Sequence, residues 1–182
     1  MSDTSLKLRR VVTGQNADGR SCVFIDGPPA EVLAFSEQAG LHEIWTLAPG
    51  PLRRTEEVDH GKGKVALSPP PQGVKLRWFT VAPTPEGGAP EEAEKRYSEI
   101  FDMMQGGDTR PDTSRHPGMH LTKTVDFIIL VRGKVRLLLD DDERVLSPGD
   151  VVVQRGTNHA WTCEGEEPAL LVAVLIDRDF AD

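Results

Sequence analysis

Short runs of β-branched and aromatic residues, each closed by turn chemistry, recur along this chain and predict an all-β protein. In the first half the runs are Arg10 to Thr13, Ser21 to Ile25 before Asp26-Gly-Pro-Pro29, Leu41 to Leu47 before Pro49-Gly-Pro51, and Val74 to Val81. A charged, then Pro-rich stretch from Leu52 to Gly73 separates the last two and reads as a surface excursion that leaves His60 in solvent. Between Glu91 and Gln105 the period changes: Ala93, Tyr97, Ile100, Phe101 and Met104 fall at helical spacing, acids open the segment and Gly106-Gly107 closes it. One helix is predicted there, its apolar stripe serving as packing against a sheet.

From His116 onward strands and turns follow in quick succession. Leu121 to Val131, a turn at Gly133, Lys134 to Leu139, a polar turn at Asp140 to Glu143, Val145-Leu146, a turn at Ser147 to Asp150, Val151 to Gln154 and Ala169 to Asp177 make the series of an antiparallel sandwich or barrel. The expected organisation is a single domain over 1–182, with N-terminal strands and loops over 1–90, the helix over 91–107 and the barrel core over 115–182.

Strand alternation puts His120, Thr122, Thr124, Asp126, Ile128 and Leu130 on one face, and Lys123, Val125, Phe127, Ile129 and Val131 on the other. Both faces are largely apolar. The outward face therefore needs a cover, either the N-terminal strands or a second subunit, and a homodimer is expected.

Composition narrows the function classes. A net charge of -8 and a pI near 5.1 leave no basic surface for phosphates, so nucleic acid is excluded as a partner. The longest apolar run, Ala169 to Ile176, is a buried-strand length and not a membrane span. Cys22 and Cys163 lie far apart and the chain opens without an apolar leader, so a reduced, cytoplasmic protein without disulfides is expected. No dinucleotide, phosphate-loop, serine-hydrolase or Cys-x-x-Cys motif occurs. The acidic run Asp140 to Glu143 lacks the spaced oxygens and central glycine of a calcium loop.

Of the five histidines, His116, His120 and His159 lie in the strand-rich second half. His120 and His159 with Asp126 form a candidate set of two imidazoles and a carboxylate for one divalent transition metal, iron, manganese, zinc or nickel. An aspartate in an otherwise apolar strand also needs a cation or donor cluster to offset its desolvation. His116, followed by Pro117-Gly118, reads equally as a fourth ligand, a pocket wall or a general acid/base group. Thr122 is assigned to substrate or metal-bound water. Trp161 and Cys163 alternate with His159, so both are expected to line a substrate pocket, with Arg155 nearby and Cys163 as packing and not a nucleophile.

The order His120-x-Thr122, Asp126, Gly133, followed by the Pro148-Gly149 turn, Gly156 and His159, resembles the two motifs of the cupin superfamily over Arg115 to Asp182. Thr122 stands where the family's second histidine usually is, Asp126 replaces the commoner glutamate, Arg155 lies in the region of a usual proline, and Cys163 replaces a usual asparagine. The resemblance implies a cupin jelly-roll barrel with added N-terminal strands and a two-histidine, one-carboxylate centre. It implies an enzyme acting on a small oxygenated substrate: an Fe(II)-type dioxygenase, or a redox-neutral lyase, isomerase or decarboxylase. A non-catalytic small-molecule-binding shell is the third expectation.

Overall fold

The computed structural model describes residues 7–83 and 89–181, so the chain's opening residues and most of the loop expected at Ala82 to Pro90 lie outside the described residues. The all-β expectation holds. Strands β1 (Arg10–Gln15), β2 (Ser21–Gly27), β3 (Glu31–Ala34), β4 (Gly40–Leu47) and β5 (Val74–Val81) precede helix α1 (Pro90–Met103). After it come β6 (Thr124–Arg132), β7 (Val135–Leu139), β8 (Glu143–Leu146), β9 (Val151–Arg155), β10 (His159–Cys163) and β11 (Ala169–Asp177).

Every pairing between these strands is antiparallel. A six-stranded sheet runs in the order β3-β4-β5-β11-β6-β9, a three-stranded sheet in the order β10-β7-β8, and β1-β2 form a separate ribbon. The core lies between the two larger sheets, where Ile128, Leu130, Leu171 and Ala173 meet Val135, with Trp161 packed on them. The N-terminal strands β3 to β5 thus extend the same sheet that carries β6. They do not cover its outer face, where Phe127 and Val153 stay 39% and 54% exposed.

Along β6 the alternation is as the sequence predicts: Thr122, Thr124, Asp126, Ile128 and Leu130 are buried, whereas Lys123 and Phe127 are exposed. Gly133 turns the chain from β6 to β7 with φ +82°, and a Cβ there would stand 2.7 Å from the Ala169 Cα, so both conformation and space call for glycine. Strand β3 is an element the sequence pattern did not separate, because Glu31-Val-Leu-Ala34 is too short to show a period.

Helix α1 begins on Pro90, a residue suited to the first turn, with Glu91 and Glu92 beside the helix N-terminus. Its end departs from expectation. Gln105 takes the left-handed conformation (φ 57°) and the Gly106 N–H closes on the Phe101 C=O at 2.7 Å. Gly106 is small for a different reason: a Cβ would approach Leu67 to 2.9 Å.

The helix docks through Phe101 and Met104 onto Leu41 of β4 and Leu67 of the preceding strap. Burying a side chain of this kind contributes roughly 2–3 kcal/mol. The strap is held from both sides, the Leu67 N–H donating to the Met104 C=O at 2.7 Å, and Lys75 and Arg77 of β5 donating to the Ala66 C=O at 2.7 and 2.5 Å. Among the described residues no helix is long and apolar enough to cross a membrane.

Candidate functional site

His120 and His159 are brought together by backbone pairing. Each donates its N–H to the other's C=O at 2.9 Å, a single antiparallel bridge just ahead of β6, and the two rings lie 4.3 Å apart between centroids. Local turns orient both rings. Pro117-Gly118 returns the Gly118 C=O to His120 Nδ1 at 3.0 Å, and the turn through Gly156 (φ 57°) returns the Thr157 C=O to His159 Nδ1 at 2.9 Å.

A carbonyl only accepts, so each Nδ1 carries the proton, and the neutral ring keeps its lone pair on Nε2. Burial pushes His120 down and His159 down to about 3, the latter helped by its neighbour His120. At neutral pH the pair is uncharged. Two neutral imidazoles whose Nδ1 protons are tied to backbone carbonyls have the form of metal-ligating histidines.

Asp126 is 4% exposed on the inner face of β6, opposite Gln154 of β9 and Leu175 of β11. Burial pushes its carboxyl up to about 6, against the pull of the Thr124 hydroxyl and of Arg77. Its Oδ1 has no hydrogen-bond partner. Thr122 does not open onto a ligand space: its hydroxyl is 2.6 Å from that of Thr124, and both are buried.

Among the described residues no three His, Cys, Asp or Glu side chains converge on one point. The two histidines therefore fit a transition metal in tautomer and charge, and the carboxylate does not join them in this arrangement. The remaining expected residues separate clearly. His116 accepts the Gly118 N–H on Nδ1 at 2.9 Å and meets the Tyr97 ring edge-on at 5.3 Å, so its Nδ1 is engaged by the turn.

Arg155 is exposed on β9 opposite Val125, on the outside of the sheet, because the inner position beside it is Gln154. It leaves the expected pocket. Cys163, at the far end of β10, turns its thiol to the Glu167 C=O at 3.1 Å and is pushed up by burial, which suits packing and not nucleophilic attack. Trp161 is a cavity wall.

That cavity, of about 610 Å³, lies between helix α1, the inner ends of β4 and β5, and β10; His120, Trp161, Phe79, Tyr97 and Phe101 are among its walls. The helical stripe that reads as packing thus does two jobs, since Phe101 and Met104 fill the core on one side and line the cavity on the other. Arg110 ties the helix to the histidine turn, pairing with Glu94 at 2.8 Å, donating to the Pro117 C=O at 2.6 Å and lying over the Phe101 ring at 5.3 Å.

Sequence reasoning also passed over a buried charge cluster on β4 and β5. Arg77 and Glu43 are 2% and 3% exposed and stand 2.9 Å apart, an ion pair in which Arg77 Nε is left without an acceptor. The signal was present in the alternation of Lys75, Arg77 and Phe79 against Leu76 and Trp78, but charged positions on a strand ordinarily mark the wet face. A smaller cavity of about 440 Å³ lies under the β1-β2 ribbon, where His60 is only partly exposed, 3.0 Å from the Glu56 carboxylate and 5.1 Å from the Trp45 ring.

Comparison with known proteins gives a match to the Cupin domain family over residues 100–175. The chain is 30% identical over 156 residues to phomopsin biosynthesis cluster protein C' of Diaporthe leptostromiformis, covering 84% of this chain and 68% of that protein. It is 25% identical over 174 residues to the cupin-domain-containing oxidoreductase srdB of Neurospora crassa, covering 92% and 72%. Among solved structures it is similar to a Cupin 2 conserved barrel domain protein from Salinispora arenicola, at 17% identity, 80% and 81% coverage and a TM-score of 0.39.

Proposed function

Because the chain belongs to the cupin superfamily, we propose that it is a metal-dependent oxidoreductase acting on a small oxygenated organic molecule, with dioxygenase chemistry as the specific reading. The observation that carries this is the histidine pair: two neutral rings, each with Nδ1–H spent on a backbone carbonyl, beside a cavity of ligand size. His120 and His159 would hold the metal, and Asp126, whose Oδ1 is unpartnered, is proposed as third donor only with a shift that brings it to the histidines it does not meet in this arrangement. When bound, such a metal polarises a chelating oxygen, and Fe(II) adds the activation of dioxygen.

The protein's own contributions are separable from that chemistry. Burial keeps both imidazoles unprotonated, so no proton competes for their Nε2 lone pairs in neutral solution. Phe79, Phe101 and Trp161 set an apolar wall beside His120, which lowers the polarity of the space a substrate would enter. The turn at Pro117-Gly118 fixes the ring's orientation, and Arg110 fixes the turn.

A second reading, a non-catalytic binding shell, is favoured by the engagement of Thr122 with Thr124 and by the failure of Asp126 to meet the histidines. Metal analysis of the purified chain separates the two. The expected result is close to one transition metal per chain, lost in His120→Ala and in His159→Ala, with oxygen uptake on a panel of catechols and diketones. Metal-free wild type that still binds a small molecule would leave the binding shell standing; metal without oxygen uptake would point to lyase, isomerase or decarboxylase chemistry.

A further inference from the structure

The cavity beside His120 is uneven in its chemistry. Leu41 and Phe79 of the sheet, Tyr97, Phe101 and Met104 of or next to the helix, and Trp161 of β10 are among the residues that make its wall mainly apolar. The charged residues on it, Glu37 and Arg96, are exposed at its margin and of opposite sign. Thr80, a further polar residue of the wall, is buried and turns its hydroxyl toward the Gly40 C=O at 3.5 Å.

Inside the margin, among the described residues, two groups remain to meet a polar atom. They are His120, directly or through the metal its Nε2 would hold, and the hydroxyl of Tyr97, and both belong to one end of the cavity, where a Cβ on Gly118 would touch the Tyr97 ring at 2.8 Å. A ligand with hydroxyls along its whole length would bury several without partners, each costing about 1–3 kcal/mol. A ligand with an apolar body gains on burial instead.

The walls also favour rings. Phe79 and Trp161 stand 6.2 Å apart at 59° and Phe101 and His120 stand 5.0 Å apart at 57°, so tilted faces and edges are presented together, the arrangement that suits an aromatic guest. A volume near 610 Å³ falls in the range of sites for compact organic ligands.

We propose, resting on the reading that His120 belongs to the reaction centre, that the substrate is an apolar, ring-bearing molecule with its oxygen functions gathered at one end, and not a sugar or sugar phosphate. The oxygenated end lies toward His120 and Tyr97; the apolar remainder lies against α1, Phe79 and Trp161.

Tryptophan emission of the purified full chain reads the test, with Trp161→Phe identifying the reporting indole. Phenol, 4-ethylphenol and 4-butylphenol are titrated, with mannose 6-phosphate as the polar probe. The expected result is saturable binding whose Kd falls on the order of tenfold for every two methylenes added, and no saturable response to the sugar phosphate. A flat series, or tighter binding of mannose 6-phosphate than of 4-butylphenol, would overturn the proposal.

His120→Ala is expected to weaken every member of the series by a similar factor and to leave its slope intact, because the slope comes from the walls. Loss of the slope in that variant would place the apolar body on His120 and overturn the assigned orientation. Metal analysis on the same samples keeps the two ideas apart: a flat series on metal-loaded protein sinks the substrate class alone, and a steep series on protein that takes up no metal sinks the proposed centre alone.

Discussion

Asp126 is a carboxylate held where burial penalises its charge. Its pKa is pushed up from 3.8 to about 6, so the folded state binds more protons than the unfolded chain between those values, and stability falls as the pH rises from about 4 to about 6. Above that window the whole penalty is present. Asp126→Asn is therefore expected to raise the stability of metal-free protein at pH 7 by about 1–3 kcal/mol, read as a higher midpoint in urea, while lowering metal occupancy. A lower midpoint in the metal-free protein would mean that Arg77 depends on the Asp126 charge.

Lys75 shows the opposite sign. It is 5% exposed and its pKa is lowered from 10.5 to about 8, by burial first and then by Arg77. Between about pH 8 and 10.5 the unfolded chain binds the extra proton, so stability rises with pH across that window. Lys75→Met is expected to be more stable than wild type at pH 7 by about 1–3 kcal/mol, with the advantage shrinking toward pH 10. The measurement is a urea midpoint at several pH values, and an advantage independent of pH would refute the titration account. The histidine pair was legible in the sequence because both residues lie in the strand-rich second half, in the order of two cupin-like motifs; these buried charges were not, because strand alternation tells which residues share a face and not which face is dry.

At the scale of elements, the turn from β6 to β7 is the joint on which the two sheets face each other. Gly133→Ala would force a side chain into φ +82° and against the Ala169 backbone at 2.7 Å. The expected loss is about 2 kcal/mol or more, seen as a lower thermal midpoint, and an unchanged midpoint would show that β11 can move aside. This joint was readable in advance, since Gly133 follows a long strand pattern. The role of α1 was only half readable. The spacing of Tyr97, Ile100, Phe101 and Met104 predicts a buried stripe, but whether such a stripe meets a wall or a cavity is decided by the strap and loop packed beside it, such as Leu67 and Phe35, which have no local signature. The stop on Gln105 was likewise hidden by two following glycines that advertise themselves as the natural cap.

For the whole molecule, the outer face of the six-stranded sheet decides what the chain does in solution. Phe127, Val151 and Val153 are 39%, 58% and 54% exposed on adjacent strands β6 and β9, beside the half-buried Ile129 and Val174 of β6 and β11. Contiguous apolar surface on a sheet is ordinarily covered, and the N-terminal strands, which share the sheet, leave it bare. A second copy meeting the same face about a two-fold axis covers it without exposing a new edge, so the chain is expected to be a homodimer with Phe127 near its centre. Sedimentation velocity should give twice the chain mass at micromolar concentration, and the pair Phe127→Asp with Val153→Asp should give the monomer with its fold intact by circular dichroism. A wild type that sediments as a monomer, or a double variant that remains dimeric, would move the interface elsewhere. The net charge of -8 then opposes association as the salt concentration falls, so the dimer should weaken at low ionic strength, the trend of an apolar contact between like-charged bodies.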